Sequence, residues 1–362
     1  MISKRIVRRR FFQMTIILPL FLSIAVSAAA PEGEWLIVCR RTDPPKDIHS
    51  PLVARATNEL LAINLDTRAQ RVLFSDASLP WALISHRAMS SSMESMVASN
   101  GHSVFAAAAE RAIVRTMPGP YSEPGGAIVE LATDGTNAIR RVANIEGNTS
   151  PDAVFVSPRG TKVGYYLYNG DNQIAVIHDV RSGALLRRIQ FKKALPPGNV
   201  RDIGWMNDDT TLYIVLRSRL SDMYHQNLAQ LGSVDGLYTL ANDSSTAIRV
   251  YSGSVGWAAP APNGDVLIKN SENLFYLHDG RPGERIGGAP PYYRSPVLSV
   301  SGKWFASVEE THEWDVFTKW YHVWVKDLST CEQTYVFTDF TFMDSFSPSA
   351  RVTVDAVGSW SP

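Results

Sequence analysis

Two stretches decide the fold when they are read together: Gly358-Ser359-Trp360-Ser361-Pro362 at the end, and Pro31-Glu32-Gly33-Glu34-Trp35-Leu36-Ile37-Val38 near the start. Joined with Pro362 against Glu32, they spell one hairpin, W-S-P-x-G-x-W followed by apolar residues. An uninterrupted version stands at Phe155-Val156-Ser157-Pro158-Arg159-Gly160-Thr161-Lys162-Val163-Gly164. A repeat divided between the termini is how a circular fold closes its ring. The C-terminus is therefore expected to supply the inner strand of the N-terminal unit.

Working outward, two hairpin types alternate along the chain. The first places a tight polar turn between apolar strands, at Met96–Ala109, Val154–Tyr168, Ile203–Leu216, Trp257–Lys269 and Val297–Val308, with the divided copy as the sixth. Pro, Gly, Asn and Asp in these turns supply the fixed or positive φ that a tight reversal needs. The second type begins at Leu60, Ala127, Ile174, Leu237, Leu274 and Val323, with period-2 alternation bounded by Asp, Ser and Gly. Six copies of each predict an all-β, six-bladed β-propeller of four-stranded blades. Phe346–Val354 resembles another first-type hairpin and leaves seven blades as the alternative. No seventh second-type hairpin accompanies it, so it is read as a connector.

The copies at Val154–Ile189 and Ser295–Phe337 resemble the TolB-like, WD40-like (PD40-type) β-propeller repeat family, whose repeat centres on a hydrophobic-S-P-D-G-hydrophobic turn. Here Arg159 replaces the usual Asp, and Ser301-Gly302 lacks the Pro. As architecture the resemblance covers essentially the whole chain after residue 28. Related propellers also precede serine peptidase domains, but no G-x-S-x-G elbow occurs in this sequence.

Met1–Arg10 carries five bases and no acid, an apolar run follows to about Val26, and Val26-Ser27-Ala28 forms a small-residue site. This is a secretory signal layout, giving a signal over 1–28 and a single propeller over 29–362. Arg8-Arg9-Arg10-Phe11-Phe12 also resembles a twin-arginine signal. The expected location is periplasmic or secreted, with no stable membrane span after cleavage. Removing the five bases leaves 30 Lys+Arg against 35 Asp+Glu, a net charge of −5. That balance argues against a nucleic-acid partner.

In a four-stranded blade, the one-to-two and three-to-four turns share one face of the disc. The two-to-three and blade-to-blade loops share the other. The first set is short throughout. The second is long at Arg40–Asn58, Arg111–Gly126, Arg217–Gly236, Glu309–Tyr321, Ser75–Ser95 and Thr338–Ala356. Long loops on a rigid scaffold are where binding residues concentrate. The same layout puts Cys39 near the elaborated face and Cys331 in a turn on the opposite one. Two free thiols are expected, because a disulfide needs Cα atoms within about 7 Å.

The candidate ligand-binding residues all lie on the elaborated face. His312, Trp314 and Trp320 mix aromatic faces with neighbouring acids, a combination that stacks on sugars or anchors a protein. Arg217, Arg219 and His225 suit a carboxylate or phosphate. Arg115 and Tyr121 come from the blade-two loop, and His49 from blade one. His49 beside Asp43 and Asp47, and His312 beside Glu309, Glu310 and Glu313, are possible metal ligands, yet no H-E-x-x-H, C-x-x-C or EF-hand spacing occurs. No cofactor or metal is expected. The function expected is a non-catalytic, exported propeller that binds an envelope or extracellular protein or glycan. The alternative is a polysaccharide lyase or hydrolase with a His, acid and Arg site at the mouth of the central channel.

Overall fold

The computed structural model describes residues 33–43, 57–79, 81–83, 97–110, 126–146, 151–169, 172–218, 234–270, 273–288, 293–313, 318–342 and 351–360. The chain divides into two compact units, Met1–Glu32 and Gly33–Pro362, and all the strands lie in the second.

These strands form six antiparallel sheets arranged as the blades of a propeller. Blade one contains β1 (Trp35–Asp43), β2 (Thr57–Asn64) and β3 (Gln70–Ser75). Blade two contains β4 (Trp81–Leu83), β5 (Val97–Ser99), β6 (Val104–Glu110), β7 (Ala127–Leu131) and β8 (Ile139–Asn144). Blade three runs through β9 (Ala153–Val156), β10 (Lys162–Asn169), β11 (Asn172–Asp179) and β12 (Leu185–Gln190), and ends in a one-turn helix, α1 (Phe191–Ala194). Blade four is β13 (Asn199–Trp205), β14 (Thr211–Arg217), β15 (Gly236–Ala241) and β16 (Ile248–Ser252). Blade five is β17 (Trp257–Pro260), β18 (Val266–Asn270), β19 (Asn273–His278) and β20 (Arg281–Gly288). Blade six is β21 (Tyr293–Leu298), β22 (Trp304–Glu313), β23 (Thr318–Asp327) and β24 (Gln333–Phe342). The last strand, β25 (Arg351–Trp360), returns to blade one and pairs with β1, placing Trp360 opposite Trp35 and Arg351 opposite Asp43. The divided hairpin thus closes the ring as its sequence implies.

Six hydrophobic clusters seal the six junctions between blades. Leu36 and Ile63 of blade one pack with Trp304, Val323 and Val354, so the junction that crosses the termini is as apolar as the rest. Phe155 and Ile177 meet Trp205 and Ile214 between blades three and four. Phe305 and Trp324 meet Trp257 between five and six, with Phe305 5.4 Å from Trp257. Middle strands are covered on both faces, which is why β6 reads as the apolar run Val-Phe-Ala-Ala-Ala-Ala. Each fully buried Leu, Ile or Phe contributes about 1.5–3 kcal/mol. Trp304 and Trp324 are core residues, at 3% and 2% exposure.

On the short-turn face, hydrogen bonds join the first turns of blades two, three, four and five in succession. Asn100 Nδ2 donates to Pro158 O at 3.2 Å. Asp209 accepts from Arg159 N and Thr161 Oγ1, both at 3.2 Å, and its carbonyl accepts from Lys162 Nζ at 2.7 Å. Asn207 Nδ2 donates to Ala261 O. Gly160 sits at φ +67°, and a Cβ there would lie 2.6 Å from Asn100 Nδ2. Turn sequence and turn packing therefore select the same residue.

Several expectations need correction. Glu309–Tyr321 is not a long loop: β22 continues to Glu313 and β23 begins at Thr318, and the two pair along the whole length. Thr, Trp, Tyr and Val alternate there and suit a pleated strand. Thr338–Ala356 also contains strand at both ends, because β24 runs to Phe342 and β25 starts at Arg351. Arg351–Val354, read as part of a connector or a seventh blade, belongs to the closing strand, and the blade count is six. Ser75–Ser95 holds β4, which pairs with Leu83 opposite Ala108, while β5 pairs lower on the same β6. The inner strand of blade two is thus split into two short pieces. Cys39 lies in β1 and Cys331 in the β23–β24 turn, and neither is in a disulfide.

Candidate functional site

The strands β22, β23 and β24 of blade six have ten residues each, longer than any strand of blades two to five, and lengthen the sheet toward the elaborated side. Register fixes what each face of the extension carries. Thr311, Trp320 and Phe340 form one cross-strand row, and Glu309, His322 and Thr338 form the next. Because side chains alternate, both rows share one face. A register shift between Val323 and Trp324 brings Tyr335 onto that face as well, with its ring 5.3 Å from His322.

The opposite face carries charge pairs, one within blade six and one that reaches blade one. Lys319 Nζ lies 2.5 Å from Glu310 and 5.3 Å from the Tyr321 ring centre. Asp339 accepts from Arg40 Nε at 2.5 Å, and Arg40 also reaches Glu59 at 3.3 Å. Burial lowers the affinity of Arg40 for its proton, but Asp339 and Glu59 outweigh it, so the guanidinium is held above its ordinary pKa. One face is therefore anchored, and the other is presented.

The presented face is an aromatic ledge. Trp320 and Phe340 lie 5.0 Å apart, and the indole is parallel to the His322 ring within 5° at 6.2 Å. Tyr335 is 60% exposed and Phe340 41%, whereas Trp320 and His322 are half-buried. Tyr335 Oη donates to Glu309 at 2.7 Å, and this bond, followed by burial, raises the phenol pKa. Thr311 and Thr338 hydroxyls lie 3.3 and 3.2 Å from the two nitrogens of His322, holding the ring in place whichever tautomer is present. Trp320 Nε1 is buried with no hydrogen-bond partner among the described residues. The ledge offers flat apolar rings beside a carboxylate and hydroxyls. Such a surface stacks against the C–H faces of sugars or against aliphatic and aromatic side chains.

A second polar feature lies on the inner strands. A register break between Val200 and Asp202 turns the Asp202 carboxylate toward blade five. It accepts from Ile203 N at 2.9 Å and Ala258 N at 3.2 Å. Burial is the leading cause that pushes its pKa up to about 7, partly opposed by those two backbone donors. Asp202 thus joins the inner strands of blades four and five.

Of the residues singled out in the sequence, Trp320 takes its place on the ledge. Arg217 closes β14, opposite Asn199, far along the chain from blade six. His312 lies in β22 opposite Lys319, but its side chain is outside the described residues. His49, Arg115, Tyr121, Arg219, His225 and Trp314 also lie outside the described residues. The described structure brings Trp320 together with His322, Tyr335 and Phe340, none of which stood out in the sequence. The signal was the two-residue spacing of Trp320 and His322 and of Thr338 and Phe340. Among the described residues, no group of three or more His, Cys, Asp and Glu side chains gathers as a metal requires, and no helix is long and apolar enough to cross a membrane.

The solved structure of TolB from Acinetobacter baumannii is similar to this chain with a TM-score of 0.50 and 9% identity, covering 89% of this chain and 66% of that one. A putative TolB from Agrobacterium tumefaciens matches with a TM-score of 0.50 and 14% identity, over 90% of this chain and 99% of that one. This chain thus spans just under two thirds of the Acinetobacter chain and nearly all of the Agrobacterium one. At these identities the likeness shows the fold, and it bears out the TolB-like propeller resemblance of the repeats. The sequence matches no protein-family model and no curated protein.

Proposed function

We propose that this chain is an exported, non-catalytic β-propeller that binds a protein or glycan partner on its elaborated face, with the blade-six ledge as a principal contact. The observation that carries this reading is the asymmetry of the extension. Its blade-one side is tied to blade one by Asp339 and Arg40 and carries the Lys319–Glu310 pair within the blade, and its other side presents Trp320, His322, Tyr335 and Phe340. Holding one face rigid to display aromatic rings on the other lowers the entropy lost on binding. The TolB-like fold supports a scaffold role, since propellers place variable surfaces on a fixed ring. Export, to the periplasm or the exterior, rests on the basic, apolar and small-residue order of residues 1–28.

The test is quantitative capture from a solubilised envelope fraction and from a glycan array, using the native chain and Trp320→Ala. Loss of capture with an unchanged melting temperature supports the reading, and the arm that loses signal identifies the partner class. Equal capture by both proteins contradicts the ledge.

A further inference from the structure

Each blade ends in an outer strand, and an outer strand offers a row of backbone donors and acceptors to any strand that approaches. Five of the six are guarded. The strands β3, β8, β12 and β16 are only five or six residues long and carry Arg71, Arg140, Arg187 and Arg249 among others. The fifth, β20, is longer but contains Pro282 and Arg285, and its pairing is broken by two register shifts. The sixth, β24, has ten residues, Gln-Thr-Tyr-Val-Phe-Thr-Asp-Phe-Thr-Phe, with no base and no proline. Among the described residues it is the terminal strand of its sheet. Its one charge, Asp339, is turned into the ion pair with Arg40. Beyond the register shift at Val336, residues 337–342 pair with β23 without interruption. That length equals an ordinary strand.

We propose that β24 pairs antiparallel with β24 of a second copy of this chain, joining two blade-six sheets into one eight-stranded sheet about a two-fold axis. The occupant follows from the strand itself. Antiparallel pairing of a strand with its own copy is self-complementary, so every favourable cross-strand contact occurs twice. On β8 or β12 the same arrangement would bring adjacent arginines, Arg140-Arg141 or Arg187-Arg188, close to their own copies. On β24 the only like charges are two Asp339 carboxylates, each already compensated by an Arg40. Thr and aromatic residues are those that gain most from cross-strand pairing. One permissive edge per ring also makes the assembly close at two copies instead of growing into a fibre. The ledge stays open in this arrangement and is doubled. The inference therefore stands apart from the proposed partner binding.

Sedimentation velocity of the purified chain between about 1 and about 200 µM, the range in which a small strand-edge interface populates both states, tests the proposal. The expected result is a concentration-dependent doubling of mass. Tyr335→Lys combined with Thr338→Lys should abolish it, and Trp320→Ala, which alters the ledge but not the edge, should leave it intact. A single monomeric mass throughout overturns the proposal, as does a folded double-lysine variant that still dimerises. Should that variant fail to fold, hydrogen exchange of the native chain decides. Amides of β24 must gain protection with concentration while those of β8 and β12 do not, and an unchanged β24 overturns the proposal.

Discussion

Trp320 and Phe340 face each other across β23 and β24 with ring centres 5.0 Å apart. Asp339, next in sequence to Phe340, points the other way and holds Arg40 of blade one. Display of the rings and attachment of the strand are thus alternate side chains of one β-strand.

Arg40→Ala is expected to loosen that attachment. It removes charge-assisted bonds to Asp339 and Glu59, and bonds of this kind contribute about 1.5–3 kcal/mol when well shielded and less here, where the side chains are partly exposed. Hydrogen exchange should show faster opening confined to β24 and the start of β23. Global melting should fall by only a few degrees. Unchanged exchange in β24 would show that the ion pair does not hold the extension.

Asp209→Ala is expected to weaken the junction between blades three and four. The side chain is 6% exposed and accepts two hydrogen bonds from the blade-three turn. Loss of a buried charged acceptor, with its donors left unsatisfied, costs about 2–4 kcal/mol. Urea unfolding should show that drop with an unaltered slope. A change under about 0.5 kcal/mol, the usual effect of a surface substitution, would contradict the role of this turn.

Asp202 should impose a pH dependence on stability. Its folded pKa, about 7, lies above the unfolded carboxylate value of about 3.9, so between the two the folded state binds more protons. Its contribution is fully present below about pH 4 and is lost as pH rises through 7. Asp202→Asn keeps an acceptor for Ala258 N without the charge. The variant should therefore match the native chain near pH 4 and exceed it at pH 8 by on the order of a few kcal/mol. Parallel stability curves from pH 4 to pH 8 would sink this assignment.

Removing residues 351–362 should abolish cooperative unfolding. The truncation strips the inner strand from blade one and takes Val354 out of the cluster that joins blades six and one. Calorimetry should show a broad transition or none. A sharp transition near the native temperature would mean that the ring does not need this closure.

The ring itself was legible because its signals are local. Ser157-Pro158-Arg159-Gly160 and Ala261-Pro262-Asn263-Gly264 announce reversals by backbone preference alone, and the Trp360 and Trp35 halves match that pattern. The ledge was harder to see. His312-Glu313-Trp314-Asp315 is polar and aromatic without an apolar face, so it reads as a loop, yet Thr311 and Lys319 are held in strand by their partners across the sheet. Tyr335 and Thr338 reach the same face only through the register shift near Val336, and a shift of that kind is set by pairing. Trp81-Ala82-Leu83 is too short to show alternation, and its strand is imposed by Ala108 and its neighbours.

The most direct test of the central claim is a paired capture experiment from the envelope fraction and a glycan array. It compares the native chain, the ledge variant Trp320→Ala, and a control on the short-turn face, Lys303→Ala. Trp320→Ala is expected to lose at least about tenfold in affinity, the 1.4 kcal/mol typical of an aromatic anchor, while Lys303→Ala binds as the native chain does. Equal binding by all three proteins, or loss in the control alone, would contradict that claim.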